Sequence, residues 1–229
     1  MKLPNKLFMV SCQATEHEPM YGKGVVPCLV KAALAGGAKG IRISQEENLK
    51  PVLELVPKDL PLICLIKKHY ENSDVVITPT LKELEFLTLN NAPIIAIDAT
   101  LRQRPKESLA ELVAWFKKNK KEHQLLMADC SDYEDVANAF ELGFDLIGTT
   151  LRGYTKETSG ISNLDNEMQF LKDVVKLNKK YNKYIVAEGG FNSPNDVKKA
   201  FAIGANCVTV GSMITRPNII TKWFLDNIK

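Results

Sequence analysis

Short apolar runs recur along the chain, and longer stretches with helical periodicity separate them. Eight runs have strand length: LFMVSC (7–12), KGIRI (39–43), LICLIK (62–67), PIIAID (93–98), QLLMAD (124–129), DLIGT (145–149), YIVAE (184–188) and CVTVG (207–211). Most are rich in valine, isoleucine and leucine and lack clean alternation with polar residues. Strands covered on both faces read this way, as in a parallel sheet under helices. The segments between them differ. SLAELVAWFKKNK brings Leu109, Leu112, Val113 and Phe116 onto one helical face. DYEDVANAFELGF and SPNDVKKAFAIGA repeat the form, and Gly143 and Gly204 end them as C-cap glycines. Ser193 and Pro194 supply an N-cap and a first-turn proline for the last of these helices.

Eight strands alternating with helices over 229 residues predict an α/β fold, a (β/α)8 TIM barrel rather than an open sheet. No low-complexity linker or change of composition divides the chain, so one barrel domain over 1–229 is expected. VVITPT (75–80) is a ninth apolar piece and reads as a short extra strand in the loop after the third strand. YTKETSGISNLDN (154–166) is polar and rich in turn formers. It reads as a long loop after the sixth strand, a natural lid or active-site loop.

In such a barrel the chemistry gathers where the strands end. The residues there are Gln13, Arg42, Lys67, Asp98, Asp129, Thr149 and Thr150, then Glu188 with Gly189 and Gly190, then Gly211 and Ser212. Each strand ends in a polar residue or glycine, which predicts a polar pocket on one rim. The glycines follow strands seven and eight, where many barrels hold phosphate. Glycine lets backbone N–H groups approach a phosphate, and a short helix start adds its positive end. Arg216 is placed to close that end as a bidentate partner. These turns predict a barrel of the phosphate-binding type, with Gly189 and Gly190 as ordinary turn glycines the alternative reading.

Composition narrows the partners. A net charge of +3 is too small to argue for nucleic acid, and Lys117, Lys118, Lys120 and Lys121 read as a solvated helix end. No apolar run approaches about 18 residues, so neither a membrane span nor a leader is expected. Five cysteines without a C-x-x-C pair argue against zinc or a redox motif and for a cytoplasmic setting. His17, His69 and His123 show no paired metal-ligand spacing, so the pocket is expected to work without metal.

The motifs VSCQA, GIR, LIKKHY, VVITPT, AIDATLRQRP, MAD, GTTLRGYT, AEGG and VGSMITRP follow one another across nearly the whole chain. In this order they resemble the bacterial N-acetylmannosamine-6-phosphate 2-epimerases, the NanE family. The resemblance implies a (β/α)8 barrel of sialic acid catabolism that interconverts N-acetylmannosamine 6-phosphate and N-acetylglucosamine 6-phosphate. It implies no cofactor and a homodimer. It makes Lys67 the catalytic lysine and Glu188 the acidic partner. Gln13, Arg42, Asp129, Thr150 and Tyr154 fall at the sugar, and Gly189, Gly190, Gly211, Ser212 and Arg216 at the phosphate. Ser212 and Met213 depart from the family's Gly and Ala, Lys68 from its Arg, and Ile43 from a small residue. EPMYGKG (18–24) departs from E-P-L-H-S-S, which puts that loop's contacts in doubt.

The chemistry is proton removal next to a latent aldehyde, after ring opening, and proton return on the opposite face. Lys67 must be neutral to serve as base, so burial and cations such as Arg42 or Lys68 are expected to lower its pKa. A donor for the enediolate oxygen is available in Arg42, Gln13 or protonated Lys67. One shuttling lysine and a two-base scheme with Glu188 both fit; the resemblance favours the single lysine. Asp129 reads either as a ligand of sugar hydroxyls or Lys67, or as a cap for the next helix. The runner-up readings are a ribulose-phosphate 3-epimerase-like barrel, which would want strand-end histidines, and a sugar-phosphate-binding module without turnover. The apolar side of IITKWFLDNI suits packing on the barrel or on a partner subunit.

Overall fold

The computed structural model describes residues 3–228. Eight parallel strands close into one barrel in chain order: β1 (Leu7–Cys12), β2 (Gly40–Ser44), β3 (Leu62–Leu65), β4 (Ile94–Asp98), β5 (Leu125–Asp129), β6 (Leu146–Gly148), β7 (Tyr184–Glu188) and β8 (Cys207–Val210). Each predicted strand is present, within one to two residues of its sequence bounds. Helices α1 (Val25–Ala35), α2 (Glu46–Leu55), α3 (Leu81–Leu89), α4 (Leu109–Asn119), α5 (Tyr133–Leu142), α6 (Asp165–Asn178) and α7 (Pro194–Ile203) fill the crossovers. A short α8 (Ser212–Thr215) and a terminal α9 (Pro217–Asn227) follow β8. Capping boxes at Ser108, Asp132 and Ser193 start α4, α5 and α7. Each satisfies N–H groups that the first helical turn leaves unpaired.

The strand residues sort by parity. Ile41, Ile43, Ile95, Ile97, Ile147 and Ile185 face outward into the layer beneath the helices, with Val30, Leu84, Phe116 and Phe140. Leu7, Met9, Ile63, Leu65, Met127 and Val186 face inward and fill the barrel. The site comes from continuing the inward parity one rung upward. Leu65 is followed by Lys67, Met127 by Asp129, Val186 by Glu188 and Gly40 by Arg42. Met9 is followed by Ser11 and Gln13, and Gly148 by Thr150. An apolar plug below and a polar layer above therefore share one set of strands. A Cβ at Gly148 would push against the Met127 methyl and sit 3.2 Å from Ala128 O, so a larger residue there would have to displace that methionine.

VVITPT does not form a ninth strand. Lys67 and Ile77 make one isolated antiparallel bridge, and the rest of the segment is held by other groups. Arg104 donates to the carbonyls of Asp98, at 2.5 Å, and Pro79, at 3.1 Å. Thr78 donates to Ala96 O at 2.7 Å. The segment is thus a return loop clamped over β3 and β4. The 154–166 loop is likewise a fixed wall, since Thr155, Thr158 and Asn163 within it are buried. Its last two residues already belong to α6.

Candidate active site

The barrel mouth holds a cavity of about 530 Å³ above the apolar plug. Gln13, Arg42, Lys67, Thr150, Tyr154 and Glu188 line it, and so do Gly189, Gly190, Gly211, Ser212 and Arg216. The structure therefore brings together eleven of the twelve residues that the resemblance places at the site. The exception is Asp129, which lies behind Arg42 and does not reach the cavity wall.

Arg42 organises the floor. Its guanidinium is almost fully buried and forks onto Asp129, with Nη1–Oδ1 at 3.2 Å and Nη2–Oδ2 at 2.6 Å. Nη1 also lies 3.1 Å from Glu188 Oε2, an ion pair whose angle makes no hydrogen bond. Burial opposes the Arg42 charge, but Asp129 and Glu188 outweigh it and hold the group protonated. Thr150 Oγ1 donates to Asp129 Oδ1 at 2.5 Å, so that carboxylate is fully engaged within the protein. Asp129 is not the cap of α5 either; Asp132 fills that place.

Glu188 is pushed up to about 7, because burial disfavours its charge and outweighs the opposing pull of Arg42 and Lys67; Asp129 adds to the rise. Its backbone is held by Thr149, whose Oγ1 accepts from Glu188 N–H at 3.2 Å and donates to Glu188 O at 3.0 Å. Asn163 reaches in from the 154–166 loop and donates to Glu188 O at 2.8 Å and Gly189 O at 2.9 Å. Gly189 has φ +99°, and a Cβ would crowd Asn163 Nδ2 and Thr150 O at 3.1 Å each. The turn after β7 thus requires glycine.

Lys67 stands half-buried on the opposite wall. Its pKa is lowered by burial first, then by Arg216 and Arg42; Glu18 and Glu188 partly offset this. Lys68 takes no part in it. Strand alternation turns Lys68 outward, where it is exposed with Nζ 5.7 Å from the centre of the Tyr70 ring. The cation expected from Lys68 is supplied by Arg216.

At the far side of the cavity, Arg216 Nη1 donates to Ser212 Oγ at 3.1 Å, and Nε pairs with Glu18 Oε1 at 2.5 Å. The altered 18–24 loop therefore keeps a contact to the site through its first residue. Ser212 does not have positive φ, so serine is accommodated where the family carries glycine. Gln13 Oε1 and Glu188 Oε2 are buried without hydrogen-bond partners in the protein. Such atoms suit a ligand rich in hydroxyls and amide groups.

Asp98 and Thr149, the other strand-end residues, serve the scaffold. Asp98 receives Arg102 Nη2 at 2.7 Å and Thr100 Oγ1 at 2.6 Å. Among the described residues no three His, Cys, Asp or Glu side chains gather as a metal-binding set, and all three histidines are exposed. Ser11, not among the expected site residues, also lines the cavity; its Oγ accepts from Gln13 Nε2 at 2.9 Å, and its inward parity with Gln13 is the sequence signal that marks it. Asn163 and Glu18 likewise are not among the expected site residues, because they lie in loops with no periodicity to mark them.

The family model described as "NanE: Putative N-acetylmannosamine-6-phosphate epimerase" matches residues 26–229. A Mycoplasmopsis pulmonis protein named "Putative N-acetylmannosamine-6-phosphate 2-epimerase" is 56% identical over 223 residues, 97% of each chain. A Staphylococcus saprophyticus protein of the same name is 44% identical, over 98% of each chain. The solved structure of the N-acetylmannosamine-6-phosphate 2-epimerase from Clostridium perfringens superposes with a TM-score of 0.88 at 36% identity, covering 98% of this chain and 94% of that one.

Proposed function

Because the chain belongs to the NanE family of N-acetylmannosamine-6-phosphate epimerases, we propose that its barrel mouth inverts C2 of N-acetylmannosamine 6-phosphate to give N-acetylglucosamine 6-phosphate. The reaction belongs to sialic acid and amino-sugar breakdown. The observation that carries this reading is Lys67, an amine of lowered pKa set opposite Glu188 in the same cavity as Arg42 and Arg216.

In this reading the open-chain sugar lies across the cavity with its phosphate toward Gly190, Gly211, Ser212 and Arg216. Neutral Lys67 removes the C2 proton, and the electron pair moves into the C1–C2 bond as the aldehyde oxygen takes charge. The buried Arg42 guanidinium and the Gln13 amide are the donors for that oxygen. The resulting ammonium of Lys67 returns a proton to the other face of C2. Glu188 carries hydroxyl protons during ring opening, a task suited to a carboxyl whose pKa is about 7. Thr150 and Tyr154 contact the sugar, and Asp129 acts through Arg42 and Thr150. No cofactor enters this scheme.

Arg216→Ala tests the phosphate end. A lost charge-assisted bond is worth about 1.5–3 kcal/mol, so KM should rise roughly 10- to 100-fold with kcat changed much less. Steady-state kinetics on N-acetylmannosamine 6-phosphate measures it. An unchanged KM would place the phosphate elsewhere.

The protein is further proposed to act as a one-domain, cytoplasmic homodimer. One closed sheet takes in every strand, and all five cysteines are free thiols, four of them buried. α9 has no buried residue and exposes Trp223, Phe224 and Leu225. A second subunit would cover such a face. Light scattering should give twice the 25.5 kDa chain mass; the mass of a single chain would overturn the dimer.

A further inference from the structure

The strand that carries Lys67 outruns its neighbour. β2 and β3 pair only as far as Ser44 and Leu65, after which β2 turns into α2. On one side, the continuation of β3 is met by its own return loop. Thr78 N–H donates to Ile66 O at 2.7 Å, and Lys68 N–H donates to Val76 O at 3.0 Å. In such a bridge the peptide groups of Lys67 itself point away from the loop, toward a place where β2 has already ended. The side-chain amide of Gln45 receives both. Oε1 accepts from Lys67 N–H at 2.7 Å, and Nε2 donates to Lys67 O at 3.1 Å. Gln45 N–H donates to Leu65 O at 2.9 Å. One residue thereby extends the β2–β3 ladder by a rung, with a side chain in place of a strand.

Local structure gives no reason for glutamine here. Gln45 is the N-cap of α2, yet its side chain caps nothing. Serine, aspartate or asparagine is the usual choice at that place. Its backbone lies at φ 77° and ψ 147°, a region that glycine enters freely and other residues hold only under strain. Glycine would relieve the strain and aspartate would cap the helix, but neither would grip Lys67. A residue that breaks two local rules while making two bonds to a single partner points to that partner as its purpose.

We propose that Gln45 is a positioning residue for Lys67; the proposal rests on the reading of Lys67 as the base. Among the described residues no hydrogen bond or ion pair holds Lys67 Nζ. Its place in the cavity therefore depends on how firmly its backbone is set. A base displaced by about 1 Å loses rate on the order of a hundredfold.

The test uses Gln45→Gly, with Gln45→Met and Lys67→Ala beside it. Gln45→Gly removes the grip and the strain together, so its melting temperature should match or exceed that of the wild type. Its kcat should still fall about tenfold or more, with KM within about twofold. The acid limb of the kcat–pH profile should move to higher pH, because a loosened Lys67 leaves its buried seat and holds its proton more tightly. Gln45→Met keeps the side-chain length without the amide and should show the same kcat and pH changes; it decides the matter if the glycine variant does not fold. Wild-type kcat and pH profile in these variants, next to an inactive Lys67→Ala, would overturn the positioning role and leave the base assignment standing. Loss of activity only in proportion to loss of folded protein, with an unmoved acid limb, would also overturn it. An active Lys67→Ala would remove the base assignment, and this inference with it.

Discussion

Replacing Lys67 with alanine is expected to lower kcat by about a thousandfold or more, within the range a placed general base contributes, while the melting temperature holds or rises. The two expectations share one cause. Burial, Arg216 and Arg42 all press against the ammonium, and Glu18 and Glu188 offset them only in part. A lysine whose folded pKa lies below its unfolded value of about 10.5 costs stability at every pH below the folded value. That cost fades as the pH rises toward the unfolded value. At neutral pH alanine removes the cost together with the base. Neutral amine is available at lower pH than for an ordinary lysine, so the acid limb of kcat should fall below the usual lysine range. Steady-state kinetics and a thermal melt on one preparation measure both effects. Lys68→Ala is the control: exposed over Tyr70, it should change kcat by no more than about twofold. A Lys67→Ala enzyme with near-wild-type kcat would end the assignment.

Asp129→Ala is expected to cost about 3–5 kcal/mol of stability, the usual price of stranding one partner of a buried ion pair. Urea denaturation at pH 7 measures it, and the melting temperature should fall by roughly 10 °C for a chain of this size. The reason lies in Arg42. Its side chain is 1% exposed, and Asp129, itself 0% exposed, is the one carboxylate that forks it. Without Asp129 the guanidinium keeps only the Glu188 contact at 3.1 Å. Thr150 loses its acceptor in the same step. Glu188 is held up by burial and, further, by the Asp129 charge; in the variant it should therefore ionise at lower pH. Asp129→Asn, which keeps the shape and one acceptor, should cost less than alanine. A loss under about 1 kcal/mol for alanine would mean that Arg42 is not the buried, dependent charge described here.

Much of this was legible in the chain because inward parity and strand ends are sequence-local. LICLIK announces both the apolar interior and the lysine above it, and YIVAE does the same for Glu188. AEGG and VGSMITRP mark the glycine turns, one of which has a contact that requires glycine at Gly189. Asp129 was legible as a strand-end carboxylate but not in its task. That task depends on Arg42, 87 residues away and across the barrel. VVITPT has the composition of a strand, but its carbonyls are shared out, Val76 O to Lys68 N–H, Ile77 O to Asp98 N–H and Pro79 O to Arg104, and among the described residues its one bridge is to Lys67. AIDATLRQRP, one of the motifs that carry the resemblance, supplies that clamp rather than the cavity. Asn163 and Gln45 act on backbone groups brought near by tertiary structure, and no spacing in the sequence marks them. α9 reads as an amphipathic helix with an apolar side to pack, yet it keeps Trp223, Phe224 and Leu225 exposed.

Metal-free proton transfer at C2 is followed by NMR of N-acetylmannosamine 6-phosphate with the purified protein in D2O and EDTA. The expected product is N-acetylglucosamine 6-phosphate carrying deuterium at C2, since Lys67 is only half-buried in the wall of the cavity and its protons are open to exchange there. A folded protein that binds the sugar phosphate yet gives neither product nor exchange at C2 would contradict it, and would make the cavity a binding site without turnover.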